Sequence, residues 1–459
     1  MSGLVINGEH DRVVFDTTPF CRKREGSMPD KSQPKEHTLS TGYAYYLFTL
    51  LFLLYFFNYI DRVIVTSLFP FIQKEYGISD TQAGTLVSVV YWSIVLCTVP
   101  ASILVDRWSR KKTIGLMALF WSIATGVCAF TRTFPQLILA RTAIGIGEAG
   151  FAPGGTAMLS GLFPAEKRSR MMGFWNISIP LGSAVGIAIG GVVAERYGWR
   201  HAFGLVAAPG AIAAILFFFV KDYKTVELVK TSGSTGPQPD KVKMSKMDIV
   251  REFIHTPSLI LTNIAFIGCI FVNNAVLTWL PTYFHRLEGI PMSEAGMKTG
   301  SIMLLAIVGL PLGGWLADVW FKKNVRARLL FPAITTALNT IVVFCAFFFF
   351  KGRALYGILL LMGMVSSAFA PAAITATQEV IHAGLRAISY AVCVIIQNLF
   401  GAAMAPIVLG MVSDAYGIKA AMSILPLFLL FSTAFFLAGS FFYEKDLNKV
   451  EKIELEFED

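Results

Sequence analysis

Apolar runs close to the length of a membrane crossing recur along almost the whole chain, separated by short polar punctuation. About 18–20 apolar residues in a helix cross a bilayer. The runs are too long and too uniformly apolar for barrel strands, which alternate in short segments. The pattern predicts an all-α integral membrane protein of twelve transmembrane helices, near 43–69, 81–105, 112–131, 135–160, 169–194, 200–220, 257–284, 295–318, 328–350, 355–380, 386–412 and 419–442. The one long polar interruption, KDYKTVELVKTSGSTGPQPDKVKMSKMDIVREF at 221–253, divides them six and six. The expected organisation is a polar tail 1–42, a six-helix bundle 43–220, a loop 221–256, a second six-helix bundle 257–442 and a tail 443–459. Residues 1–40 hold no apolar core, so no cleavable signal peptide is expected. Met28 offers a second possible start.

Composition agrees. Hydrophobic residues make up 55% and charged residues 15%, where a soluble protein would carry about a quarter charged. The net charge of +9 invites a nucleic-acid reading, but its placement argues for topology. Of the 39 Lys and Arg, 28 fall in the even-numbered connections and the two tails, nine in the odd-numbered connections, and two, Arg62 and Arg141, inside spans. The positive-inside rule then places both tails and the 221–253 loop in the cytoplasm. A bacterial inner membrane is the expected location, with membrane lipids as partners and no nucleic acid. The six Cys are scattered and form no metal spacing, and the six His fall in tails, loops or span ends.

The halves repeat. SILVDRWSRKK at 102–112 and GGWLADVWFKKN at 313–324 each place an Asp, Asp106 and Asp318, at the cytoplasmic end of a span with bases following. Residues 164–199 align with 382–418, setting Arg168 opposite Arg386 and Tyr197-Gly198 opposite Tyr416-Gly417 with one residue of slip. Two six-helix bundles in the same orientation describe a two-lobed transporter with a substrate site between the lobes near mid-membrane. Asp106, Arg107, Arg110, Lys111, Asp318 and Lys322 are candidates for a cytoplasmic gate, a carboxylate there being able to cap a neighbouring helix or pair with a base.

DRWSRKK and ADVWFKK resemble the signature of the major facilitator superfamily between spans two and three and between eight and nine. Ser102 stands where the signature has Gly, whereas Gly314 is in place in the second copy. Coverage runs from about 43 to 442. Within that superfamily NYIDR (58–62), RTAIGIGEAGFAPGG (141–155) and FPAEKRSRMMGFWNISIPLGSAVG (163–186) resemble the spinster-like branch. The Asp-Arg and Gly-x-x-Glu-Ala elements also occur in the anion:cation symporter branch, which carries organic and sugar acids. Either resemblance implies alternating access, and implies proton coupling and anion binding at these positions.

NYIDR sets two charges in the middle of an apolar span, each costing about 2.5–3.5 kcal/mol at the bilayer centre. Asn58, Asp61 and Arg62 share one helix face, as do Arg141, Gly145 and Glu148 of span four. Two acids and two bases can neutralise one another as a purely structural network. The alternative makes Asp61 and Glu148 the proton sites and Arg62 the contact for an anionic headgroup, or the partner that switches a carboxylate. Arg141, nearer its span end, is either a further contact or an anchor. Span five carries a small-residue face at Gly182, Gly186, Gly190 and Gly191, expected against span eight, and Pro153 should kink span four.

The second half is poorer in charge. Asn273, Asn274, Trp279, Tyr283, Gln397 and Asn398 there, with Asn58 in the first half, are further candidates for substrate contact or helix bridging. The expected function is proton-coupled secondary transport of an amphipathic, lysolipid-like or organic anion. A small organic-acid or sugar-acid proton symporter is the alternative, and a non-transporting sensor a distant one. An enzyme is disfavoured, since no mid-membrane His, nucleophile–base pair or metal cluster is present. No cofactor is expected beyond the proton gradient. No GxxxxGK[ST] motif supports ATP drive, and no dimer motif stands out, so a monomer is expected.

Overall fold

The computed structural model describes residues 41–163, 165–220, 252–382 and 385–449. Among these, twelve helical rods cross the molecule. Span one runs through Thr41–Val63, a 3-10 turn at Ile64–Leu68, and Phe69–Tyr76. Spans two and three are Asp80–Arg107 and Arg110–Cys128. Span four is Phe134–Glu148 continued by Phe151–Leu162, and span five is Ala165–Asn176 continued by Ser178–Tyr197. Span six is Trp199–Phe218 and span seven Pro257–Leu287. Span eight joins Met292–Leu304 to Ala306–Phe321, and span nine is Ala327–Phe349. Span ten joins Gly352–Ala368 to Ala370–Glu379. Span eleven is Arg386–Ile396, a π-turn at Gln397–Ala402, and Met404 onward to a kink at Gly417; span twelve follows through Leu425–Leu447. We call the side carrying Thr41 and Leu447 the tail face and the opposite side the far face.

Local sequence explains the interruptions. Proline clashes with the carbonyl four residues before it. Pro153 faces Ala149 in this way, and span four breaks at Ala149-Gly150, as its sequence predicts. Span one extends seven residues past its expected end at 69, because Pro70 sits in the first turn of Phe69–Tyr76, where no amide is needed. The Tyr-Gly repeat marks equivalent corners. Gly198 (φ 88°, ψ 152°) and Gly417 (φ 84°, ψ 159°) adopt a backbone that side chains disfavour, and each turns the chain into the last span of its lobe.

The small-residue face of span five divides between two neighbours, contrary to expectation. A Cβ on Gly182 would lie 2.6 Å from the Phe56 carbonyl and one on Gly186 3.0 Å from the Ile60 backbone, so these glycines admit span one. Gly191 faces Met292 of span eight. Span eight supplies the rest of that interlobe contact, with Gly296 against the Ile187 carbonyl and Gly300 against the Ala184 carbonyl, each 2.7 Å from a would-be Cβ.

The lobes close on the far face. Asp80, at the start of span two, accepts 2.7 and 2.8 Å hydrogen bonds from Arg286 at the end of span seven, and further ones from Gln73 and Ser413. Asp414 of span eleven accepts from the Asp80 amide (2.8 Å), the Thr81 amide (2.9 Å) and the Thr81 hydroxyl (2.6 Å). Glu195 of span five accepts from the Ser293 amide of span eight (3.0 Å). Glu195 and Asp414 both lie three residues before the corner glycine. Each caps the first turn of a span in the opposite lobe, so the latch repeats the internal symmetry. A further hydrogen bond between lobes, Tyr91 to Asn274, lies at mid-depth.

Candidate functional site

The α-helix of span one ends at Val63 and tightens into the 3-10 turn. Asp61 and Arg62 occupy that last turn, and Asn58 the turn before it. Across from it, Glu148 is the last residue before the break in span four. Arg62 donates through Nε (3.1 Å) and Nη2 (2.7 Å) to Glu148 Oε2, and through Nη2 (3.3 Å) to Asn58 Oδ1. Its guanidinium lies over the rings of Tyr59 and Tyr91, 4.9 and 5.4 Å from their centroids. Glu148 is buried, while the Arg62 side chain keeps 12% exposure. The Arg62 side chain is therefore the less completely buried half of a pair whose carboxylate is fully covered.

Arg141 is placed differently from expectation. It is fully buried and donates to three carbonyls: Nε to Leu86 (3.0 Å), Nη1 to Asp61 (2.8 Å) and Nη2 to Arg62 (2.9 Å). The last carbonyls of an α-helix lack intrahelical donors. Arg141 supplies donors where span one changes from α to 3-10, and ties that break to span two. It lies buried in this conformation and not at a surface. Gly145 makes this approach possible, since its Cβ would lie 2.5 Å from the Val90 carbonyl.

Asp61 is fully buried, and neither carboxyl oxygen has a hydrogen-bond partner among the described residues. Its electrostatic neighbours are Glu148, Arg141, the Thr125 hydroxyl and Cys128. The four charges therefore do not form one closed network: Arg62–Glu148 is an ion pair, Arg141 is spent on backbone, and Asp61, though near Arg141 and Glu148, joins no ion pair among the described residues.

In the second lobe, Asn274 Oδ1 accepts from Tyr91 Oη (2.8 Å), bridging the lobes beside Arg62, and Asn273 is exposed one residue earlier. Trp279 and Tyr283 are buried in this conformation. Trp279 is fully buried, donates to the Pro406 carbonyl (3.0 Å) and packs on Phe69; Tyr283 is buried against Phe347. Both fill apolar core because their helix faces turn inward. Gln397 and Asn398 lie half-buried in the π-turn, bonded to Cys393 Sγ and the Val394 carbonyl of the preceding turn.

On the tail face Asp318 pairs with Arg328, not with Lys322, which is exposed. Arg328 also bonds Glu379 (3.2 Å) and stacks 4.2 Å from the Phe321 ring, and Tyr443 donates to the same Glu379. The cluster thus ties spans eight, nine, ten and twelve within one lobe. The side chains of Asp106 and Arg107 lie outside the described ones; Arg110 and Lys111 are half-buried at the start of span three. Sequence reasoning missed Arg328, Tyr91 and the far-face residues Asp80, Arg286, Asp414 and Glu195. For Asp414 and Glu195 a signal existed, an acid three residues before Gly in both copies of the repeat.

The family model described as Major Facilitator Superfamily matches residues 51–406. A hexuronate transporter of Bacillus subtilis (strain 168) is 27% identical over 298 residues, 65% of this chain and 68% of the relative. Protein spinster homolog 1 of Xenopus laevis is 25% identical over 457 residues, covering 92% and 86%. The crystal structure of a bacterial homolog of the human lysosomal transporter Spinster, inward-facing and unoccupied, superposes with a TM-score of 0.79 at 21% identity, over 89% of this chain and 99% of that one.

Proposed function

The chain belongs to the major facilitator superfamily, and from that premise we propose that it couples proton movement to transport of an organic anion, with Arg62 as the anion contact and Asp61 and Glu148 as proton sites. The observation that carries this reading is a partly exposed Arg62 paired to a fully buried Glu148, with the buried Asp61 carboxyl close by and outside that pair. A lone buried carboxylate is far costlier than its protonated form. In this reading Asp61 takes up and releases its proton as movement of the lobes changes its surroundings. A proton arriving at Glu148 weakens its hold on Arg62, and the freed guanidinium takes the substrate anion in place of the carboxylate. Breaking a buried ion pair without a replacement costs about 3–5 kcal/mol, so anion binding and proton binding favour each other. Such coupling lets a gradient of either drive the other.

Two readings of the anion differ in size. The rings of Tyr59 and Tyr91 beside Arg62 suit an amphipathic anion. The similarity to a hexuronate transporter favours a small sugar acid. The far-face latch fits a state in which the lobes part toward the tail face, which the distribution of Lys and Arg assigns to the cytoplasm. The test is reconstitution into liposomes with an imposed pH gradient, recording internal pH as candidate anions are added. Proton flux with substrate in the wild type, lost in Glu148→Gln and Asp61→Asn, supports coupling. Substrate flux that persists in both variants without proton movement overturns it in favour of a facilitator.

A further inference from the structure

The second lobe encloses a polar cavity that the charged site does not use. It lies between spans seven, nine and ten and measures about 10 Å³. Its polar lining comes from Cys269 of span seven, from Thr335, Thr336 and Asn339 of span nine and from Ser366 of span ten, and Phe369 borders it at the break in span ten. No lining residue is charged. Asn339 is 4% exposed, and its Oδ1 has no hydrogen-bond partner among the described residues. Thr335 spends its hydroxyl hydrogen on the Phe331 and Pro332 carbonyls (3.0 and 3.1 Å), and Ser366 spends its own on the Gly363 carbonyl (3.3 Å). Both oxygens keep lone pairs to offer, as does Asn339 Oδ1. The Thr336 hydroxyl meets the Cys269 thiol at 3.8 Å, a weak partner that leaves its hydrogen available.

We propose that this cavity binds one ordered water, which donates to Asn339 Oδ1 and to the hydroxyl oxygen of Thr335 or Ser366, accepts from Thr336, and serves as the movable part of a hinge in span ten. A buried water needs about 10–15 Å³ and makes about three hydrogen bonds to groups that lack partners. The volume admits a single molecule of this kind, and the lining offers those bonds. A cation also suits acceptors, but it would sit buried with no counter-charge, which costs far more than burying a neutral molecule. An apolar filling would leave Asn339 Oδ1 unpaired, also at a cost. The hinge role follows from the location. Span ten breaks at Phe369, and Pro371 has no amide to give the Ser367 carbonyl four residues back. Broken spans inside a membrane keep their polar groups satisfied through hydroxyl side chains and ordered water. A water changes partners as the angle at Phe369 changes. The tail half of span ten, which ends at Glu379, then bends without stranding Asn339.

The test is synchrotron X-ray radiolysis of the reconstituted protein, with thiol oxidation read by mass spectrometry. Radiolysis turns a bound water into a hydroxyl radical in place, and the Cys269 thiol, 4% exposed, lines the cavity. Oxidation of Cys269 in the wild type that falls about fivefold in Asn339→Leu, which removes the acceptor, is the expected result. Thr336→Val repeats the measurement by removing the donor, so the outcome does not hang on one variant. Equal oxidation of Cys128, buried in the other lobe, shows that the variants are folded. Cys269 that stays unoxidised in the wild type, or that oxidises as fast in both variants, overturns the proposal. Oxidation that falls when sodium replaces choline in the buffer identifies a cation as the occupant and overturns it too. The hinge is read by double electron–electron resonance between spin labels at Arg353 and Gln378, near the two ends of span ten. The distance distribution should be broader in the wild type than in Asn339→Leu, and equal widths overturn the hinge role.

Discussion

Removing the Asp414 cap should shift the protein away from the conformation described here. Asp414→Ala deletes three hydrogen bonds that cross the lobe interface, two of them from the first amides of span two. Loss of a helix cap costs about 0.5–2 kcal/mol, and the carboxylate also meets the positive end of the helix dipole. Asp414 is exposed, so screening keeps the sum near 1 kcal/mol. Because these bonds join the lobes, their loss falls on the far-face-closed state and not on the one that opens there. The closed:open ratio should drop about fivefold. Glu195→Ala removes a single 3.0 Å bond at the symmetry-related position and should change the ratio about twofold or less. Spin labels at Phe130 and Lys351, exposed far-face positions in opposite lobes, report the separation by double electron–electron resonance. The long-distance population should grow in the order wild type, Glu195→Ala, Asp414→Ala. An unchanged distribution in Asp414→Ala, or a larger effect of Glu195→Ala, would refute the reasoning.

Three further outcomes follow from the packing. Arg141→Lys keeps the charge but cannot reach three carbonyls with one ammonium, so it should cost about 2–3 kcal/mol of thermal stability and abolish transport, measured by unfolding in nanodiscs and by uptake. Gly300→Val must push span eight off the Ala184 carbonyl and should lower both transport and stability, by about 1–3 kcal/mol, whereas Gly204→Ala meets nothing within 4 Å and should behave as wild type. Arg328→Met should lower the unfolding temperature by the equivalent of about 1 kcal/mol by leaving Glu379 and Asp318 without their shared partner, while Lys322→Met should leave it unchanged; equal effects would refute this assignment of Arg328 as the partner of Asp318.

The sequence by itself determined the membrane character, the twelve spans and the two-fold repeat, because these depend on run length, charge placement and local backbone preference. Pro153 and the Tyr-Gly corners could be read for the same reason: a ring or a missing Cβ acts on its own turn of helix. It also brought Asn58, Asp61, Arg62 and Glu148 into one candidate site, since helix periodicity fixes which residues share a face. Tertiary structure alone decided what each charge does. Arg62 and Arg141 look alike in sequence, yet one meets a carboxylate and the other meets three carbonyls, because a guanidinium's partners come from neighbouring helices whose rotation the periodicity leaves open. Trp279 and Asn274 lie on one span, and only the packing of span seven against spans one and two turns the first into core and sets the second beside Arg62. The same holds for Arg328 and Lys322. Both lie near Asp318 in the chain, and the geometry at the end of span eight aims one at the carboxylate and the other at solvent.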